Sequence, residues 1–192
     1  IMIEDWDDAY SNAAHIPGAR DYPPRWAADA AIFRQVQAAA GRADIDLAYG
    51  PAPRERLDLF HPEGAARGLA AFLHGGYWMA FDKSSWSHFA GGALARGWAV
   101  ALPSYSLCPD VRIADITRQA GRAIAAAAER VAGPIALAGH SAGGQVVTRL
   151  GCVNGPLPPT LHGRLVRVLS ISGLHDLRPL LRLEPVCDSL LV

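Results

Sequence analysis

Three uninterrupted apolar runs, LAAFLHGG at 69–76, WAVALPSY at 98–105 and PIALAGHS at 134–141, constrain this 192-residue chain more than any other feature. A strand with one wet face alternates apolar and polar residues. A run that is apolar at every position has to bury both faces, which is the situation of a central parallel strand with helices above and below. The stretches between the runs supply such helices. Trp86, Phe89, Ala93 and Leu94 share one helical face ending at Gly97, and Ile113, Ile116, Ala120, Ile124, Ala127 and Val131 share another ending near Gly133. A last run, RLVRVLSIS at 164–172, follows a loop containing NGPLPPT. Ahead of the runs, DIDLAYG and RLDLFHP alternate and are joined by PAPRE, the pattern of an antiparallel hairpin. Residues 26–40 place Trp26, Ala30, Phe33 and Val36/Gln37 at three-to-four spacing, a helix with an apolar stripe. The expected fold is α/β, three layers around a mainly parallel central sheet.

Charge and cysteine usage narrow the function classes. The 18 basic and 18 acidic residues include no long run of either sign, so the footprint of a nucleic-acid binder or a polybasic membrane anchor is missing. A small, largely neutral or apolar molecule is the expected partner. Cys108, Cys152 and Cys187 are odd in number and lack CxxC spacing, which points to reduced, mostly buried thiols rather than a disulfide framework or a zinc site. No metal or other cofactor is expected. The opening IMIEDWDDAY is acidic where a secretory leader is basic and then apolar, and no uncharged run approaches the roughly 18 residues of a membrane helix. The expectation is a soluble, cytoplasmic chain.

Chemistry concentrates at the carboxyl ends of two of the apolar runs. GHSAG at 139–143 is a G-x-S-x-G that arrives from PIALA and leaves into AGGQVVTRL, a strand-turn-helix context. That context defines a nucleophile elbow, in which Ser141 takes a strained backbone at the tip of a turn and Gly139 and Gly143 relieve crowding around it. HGGYW at 74–78 follows the first run directly, where a second backbone donor is needed. Its glycines let main chain approach a developing oxyanion, so the amides of Gly75, Gly76 or Tyr77 can act together with that of Ala142. Tyr77 and Trp78 stand beside those glycines as candidate walls of an apolar cleft for a short acyl or aryl group, with Trp86 and the N-terminal aromatics as further candidates; core packing explains most of these aromatics equally well.

The HGG-type loop, YSLCPD at 105–110 and GHSAGG together resemble the α/β-hydrolase fold, in particular the hormone-sensitive-lipase-like esterases and, through HGGYW and GHSAGGQ, the kynurenine formamidase branch. The resemblance runs from about residue 45 to 180. It implies hydrolysis of carboxylesters or aryl formamides by a Ser-His-Asp triad without metal. It also implies that His74 holds the shape of the oxyanion loop, and that residues 1–40, with Trp6, Tyr10, Tyr22 and Trp26, are a helical cap-like segment on a core spanning 41–192.

The proton acceptor for Ser141 is harder to find among the seven histidines. His15, His61, His88 and His162 fall on segments remote from the elbow, and His140 is turned away by the sharp turn itself. Only His175, in SGLHDLRPL, follows the serine and lies just beyond a strand's carboxyl end, with Asp176 beside it as a candidate acid or loop organiser. The resembled fold places its acid and histidine on loops after two further strands. The expectation is therefore a core incomplete after its sixth strand, with the histidine and acid beyond Val192 and a hydrophobic sheet edge left for a completing segment or a second copy. A catalytically incomplete fragment serving as a binding module or subunit is the alternative.

Overall fold

The computed structural model describes residues 4–183. Six strands form one sheet in the order β1-β2-β4-β3-β5-β6, with β1 at Ala43–Ala48, β2 at Arg56–Phe60, β3 at Leu69–Leu73, β4 at Ala99–Pro103, β5 at Ile135–His140 and β6 at Leu165–Ile171. β1 and β2 are the expected hairpin, β2 pairs antiparallel with β4, and β4, β3, β5 and β6 run parallel. The three apolar runs thus become adjacent inner strands. Alternate residues of β3 serve two cores: Leu69, Ala71 and Leu73 join one cluster, and Ala70 and Phe72 pack against the other.

The helical segments are α1 (Trp6–Ala9), α2 (Tyr22–Ala39), α3 (Gly91–Leu94), α4 (Ile113–Ala128), α5 (Ala142–Gly151) and α6 (Pro159–His162). α4 and α5 cover the first face. Ile113, Ile116, Ala120, Ile124 and Ala127 of α4, with Val131 beyond it, are all buried, as their spacing predicts. α2 covers the second face through Trp26, Ala30 and Phe33, and the stripe stops there, because Val36 is 56% exposed. The connection from β3 to β4 departs from the expected single helix. Lys83–Ser85 and Ser87–Ala90 are 3₁₀ turns and only Gly91–Leu94 is α-helical. Trp86 and Ala90 still face the core, whereas Phe89 turns outward.

Strand order fixes where a site can form. From β3 the chain crosses over one face of the sheet to β4, while from β5 it crosses the opposite face through α5 to β6. β3 and β5 are neighbours, so the loops leaving their carboxyl ends diverge and open a crevice between them. The HGGYW loop leaves β3 and Ser141 leaves β5. At the far side of the sheet, β6 presents Val166 and Leu169 to solvent, and among the described residues no strand pairs with its outer edge. No helix among the described residues is long and apolar enough to cross a membrane.

Candidate active site

Ser141 occupies the tip of the turn between β5 and α5 at φ 54°, ψ −120°, a backbone that side-chain-bearing residues rarely adopt. Its amide donates to the Ile171 carbonyl at 2.9 Å, and its own carbonyl accepts from the Gln145 amide at 3.2 Å, so the strained residue is held from both sides. Packing explains the glycines around it. A β-carbon on Gly143 would sit 2.5 Å from the His74 carbonyl oxygen, and one on Gly144 would sit 2.6 Å from Ser170 Oγ. Positive φ recurs nearby in Tyr77, Trp78 and Phe81 after β3 and in Ser172 after β6, so apart from Asp46 in β1 the strained non-glycine backbone of the described residues gathers at the carboxyl ends of three adjacent strands.

The two motifs meet. A β-carbon on Gly75 would lie 3.0 Å from Ser141 Cβ and 2.9 Å from the His140 carbonyl oxygen, which puts the loop backbone against the serine. Gly76, at φ 112°, closes a tight turn whose carbonyl accepts the amides of Met79 and Ala80. Ala142 is fully buried at the first position of α5. Tyr77 is half-buried, and its hydroxyl donates to the Tyr10 carbonyl at 2.8 Å. Trp78 corrects the expectation of a cleft wall: it is fully buried in the larger core cluster, so of the two aromatics only Tyr77 borders accessible space.

Below the loop, His74 is buried and its ring stacks on Tyr105, centroids 4.4 Å apart and planes 9° from parallel. His74 Nδ1–H donates to the Gly75 carbonyl at 2.8 Å, and the Tyr105 hydroxyl donates to the His74 carbonyl at 2.7 Å. Burial pushes the His74 pKa down to about 4, against an opposing contribution from the Gly75 hydrogen bond, so the ring is neutral near pH 7. Arg54 ties this layer together, donating from Nε to the Tyr105 carbonyl at 2.8 Å and from Nη2 to the Phe81 carbonyl. Nothing local in PAPRE marks Arg54 for that task.

His175 and Asp176 are otherwise engaged. His175 Nε2 is hydrogen-bonded to Ser170 Oγ at 3.1 Å, and Asp176 accepts two 2.7 Å bonds from the Arg178 guanidinium, which hold its carboxyl down at about 2. His15 and His61 bond to Asp8 and Asp44. No histidine among the described residues is hydrogen-bonded to Ser141. Cys108 is buried, and burial raises its thiol to about 11, whereas Cys152 is half-buried; Cys187 lies outside the described residues. Among the described residues no cluster of three His, Cys, Asp or Glu side chains has the geometry to hold a metal ion.

Comparison with known proteins agrees with the fold. Residues 70–187 match the model of the alpha/beta hydrolase family. Kynurenine formamidase of Drosophila melanogaster is 28% identical over 146 residues, 73% of this chain and 48% of its own length. The chain spans about half the length of the curated relatives it matches. Among solved structures, a candidate thioesterase of Silicibacter sp. TM1040 superposes with TM-score 0.89 at 57% identity, over 93% of this chain and 67% of that one. Esterase B of Lactobacillus rhamnosis, in an inhibited form, shares the fold at TM-score 0.53 and 21% identity, over 70% of this chain and 48% of its own.

Proposed function

This chain belongs to the alpha/beta hydrolase family, and from that premise we propose that it carries the nucleophile and oxyanion hole of a serine hydrolase acting on small carboxylesters or N-formyl aryl amides. The observation that carries the reading is the approach of Gly75 to Ser141, 3.0 Å from a β-carbon on the glycine to Cβ of the serine. It sets main-chain donors of one loop beside the side chain of another.

In this reading Ser141 Oγ attacks the carbonyl carbon while a general base takes its proton. The carbonyl oxygen becomes an oxyanion held by the amides of Gly75, Gly76 and Ala142, and collapse expels the alcohol or amine and leaves an acyl-serine that water then hydrolyses. The dipole of α5, ten residues long, favours negative charge at the elbow. Tyr77 lies along the path of the incoming acyl or aryl group, and Tyr10, bonded to it, belongs to a cap-like segment covering residues 1–40. The base and its acid partner are proposed to lie outside the described residues, among which no histidine is hydrogen-bonded to Ser141. Relatives named for esterase and formamidase activity support the reaction class without separating its two substrates, because both pass through the same tetrahedral oxyanion.

The alternative is a binding module built on the same fold. It draws on the engagement of His175 with Ser170 and of Asp176 with Arg178, which leaves both away from Ser141. Intact-mass analysis after fluorophosphonate treatment separates the two readings. A single adduct that disappears in Ser141→Ala supports the hydrolase, and p-nitrophenyl acetate set against N-formylkynurenine then assigns ester or formamide. No adduct, and turnover of neither substrate by the full-length protein, would replace the hydrolase with the binding module.

A further inference from the structure

Three arginines, Arg34 on α2, Arg54 in the hairpin loop and Arg56 at the start of β2, line a cavity of about 390 Å³ that Asp46, Asp82 and Lys83 also line. None of the three arginines has a carboxylate within ion-pair distance among the described residues. Each is instead held by neutral oxygens. Arg34 Nη1 donates to the Ser84 carbonyl and to Ser87 Oγ, Arg54 to the carbonyls of Tyr105 and Phe81, and Arg56 Nη1 to the carbonyls of Gly50, Ala52 and Glu55. Such acceptors orient the planar groups, and no carboxylate pairs with them directly, although Asp82 feels the charge of Arg54 and Glu55 that of Arg56. Nε and Nη2 of Arg34 and of Arg56, and Nη1 of Arg54, make no hydrogen bond among the described residues.

The neighbouring carboxylates are committed elsewhere. Asp46 and Asp58 both bind Lys83 Nζ, at 2.7 and 2.8 Å, and Asp82 accepts the amide and the hydroxyl of Ser84. Counting Asp58 behind the wall, four cations stand against three carboxylates, an excess of one positive charge. The volume is that of a small-molecule site rather than of a single water. Guanidinium forks fixed in advance and carrying free N–H groups suit the paired oxygens of a carboxylate or phosphate and lose little side-chain freedom on binding.

We propose that this cavity binds a small molecule bearing one oxyanionic head, carboxylate or phosphate, held by Arg34, Arg54 and Arg56. The site is separate from Ser141 and does not depend on the hydrolase reading. It is joined to the oxyanion loop through Arg54, whose Tyr105 contact also reaches His74.

Isothermal titration with sodium phosphate and, separately, sodium acetate, at ionic strength fixed with sodium chloride, tests the site. Saturable binding of at least one anion is expected, and the better of the two identifies the head group. Arg56→Lys, which keeps the charge and removes the fork, is expected to weaken that binding at least ~10-fold. Phenylglyoxal modification of the unsubstituted protein, mapped by mass spectrometry, gives a readout that needs no variant: the anion is expected to protect Arg34, Arg54 and Arg56 and to leave the exposed Arg130 reactive. Heats no larger than those of sodium chloride titrated to the same ionic strength, or protection spread evenly over all arginines, would overturn the proposal.

Discussion

Gly143 sits so close to His74 that a β-carbon on the glycine would lie 2.5 Å from the histidine's carbonyl oxygen. The helix that follows the elbow and the loop that follows β3 are therefore in backbone contact, and neither can move without the other. Gly143→Ala has no flexible side chain to displace, only main chain, and is expected to cost ~3 kcal/mol or more in a urea titration. Gly91→Ala is the matched control, since its nearest neighbour is Phe33 Cε2 at an ordinary 3.7 Å, and it should hold or raise stability. Equal costs for the two would refute close packing at the elbow.

The neutral, buried His74 links stability to pH. Its folded pKa, about 4, lies below the ordinary 6.5, so above pH 6.5 neither state carries the proton and the full stability is present. As pH falls from 6.5 towards 4 the unfolded chain takes up a proton that the folded chain refuses, and stability drops, by ~3 kcal/mol in all. His74→Asn is expected to be less stable at pH 7 and to have a flatter profile between pH 6.5 and 5, read from denaturation midpoints. Parallel profiles for variant and parent would show that His74 titrates normally in the folded protein.

The elbow, the parallel strands and the hairpin were legible in the sequence because each depends on neighbours in the chain. Both faces of a 69–76 run have to be buried wherever it lies, and a serine between glycines at a strand end needs the turn that it has. Arg54 and Lys83 were not legible, because their partners lie 25 to 51 residues away in chain order and follow no period. Trp78 could not be separated from Tyr77, since adjacent aromatics in a turn give no sign of which enters the core. The pairing of Asp176 with Arg178, two positions on, was open to a local reading, and it is what engages that carboxylate.

Lys83 holds a carboxylate that water cannot reach. Asp58 is fully buried, its Oδ1 lies 2.8 Å from Lys83 Nζ, and its Oδ2 has no partner among the described residues. Removing the ammonium alone strands that charge, so Lys83→Met is expected to lose about 3–5 kcal/mol. The double variant Lys83→Met/Asp58→Asn should recover part of the loss, because it withdraws the orphaned charge as well. A double variant no more stable than the single would place the cost in the packing of the lysine stem.

The N-terminal segment is fastened at two points, one at the candidate site and one at the 3₁₀ turn Arg178–Arg182. Tyr77 donates its hydroxyl to the Tyr10 carbonyl at 2.8 Å, and the Arg182 guanidinium lies 5.0 Å over the Trp6 ring, which itself stacks with Tyr10. Each tie contributes about 1 kcal/mol, enough to hold a short segment and too little to hold the fold. Tyr77→Phe keeps the ring and removes one tie. Hydrogen exchange over residues 6–12 is expected to quicken several-fold in this variant, with the thermal midpoint within ~2 °C of the parent. Adding Arg182→Gln should quicken it further, because the remaining tie is then cut. Unchanged exchange in the double variant would mean that the segment is held by its own packing against the core, and that its aromatics do not depend on the loop after β3 for their position.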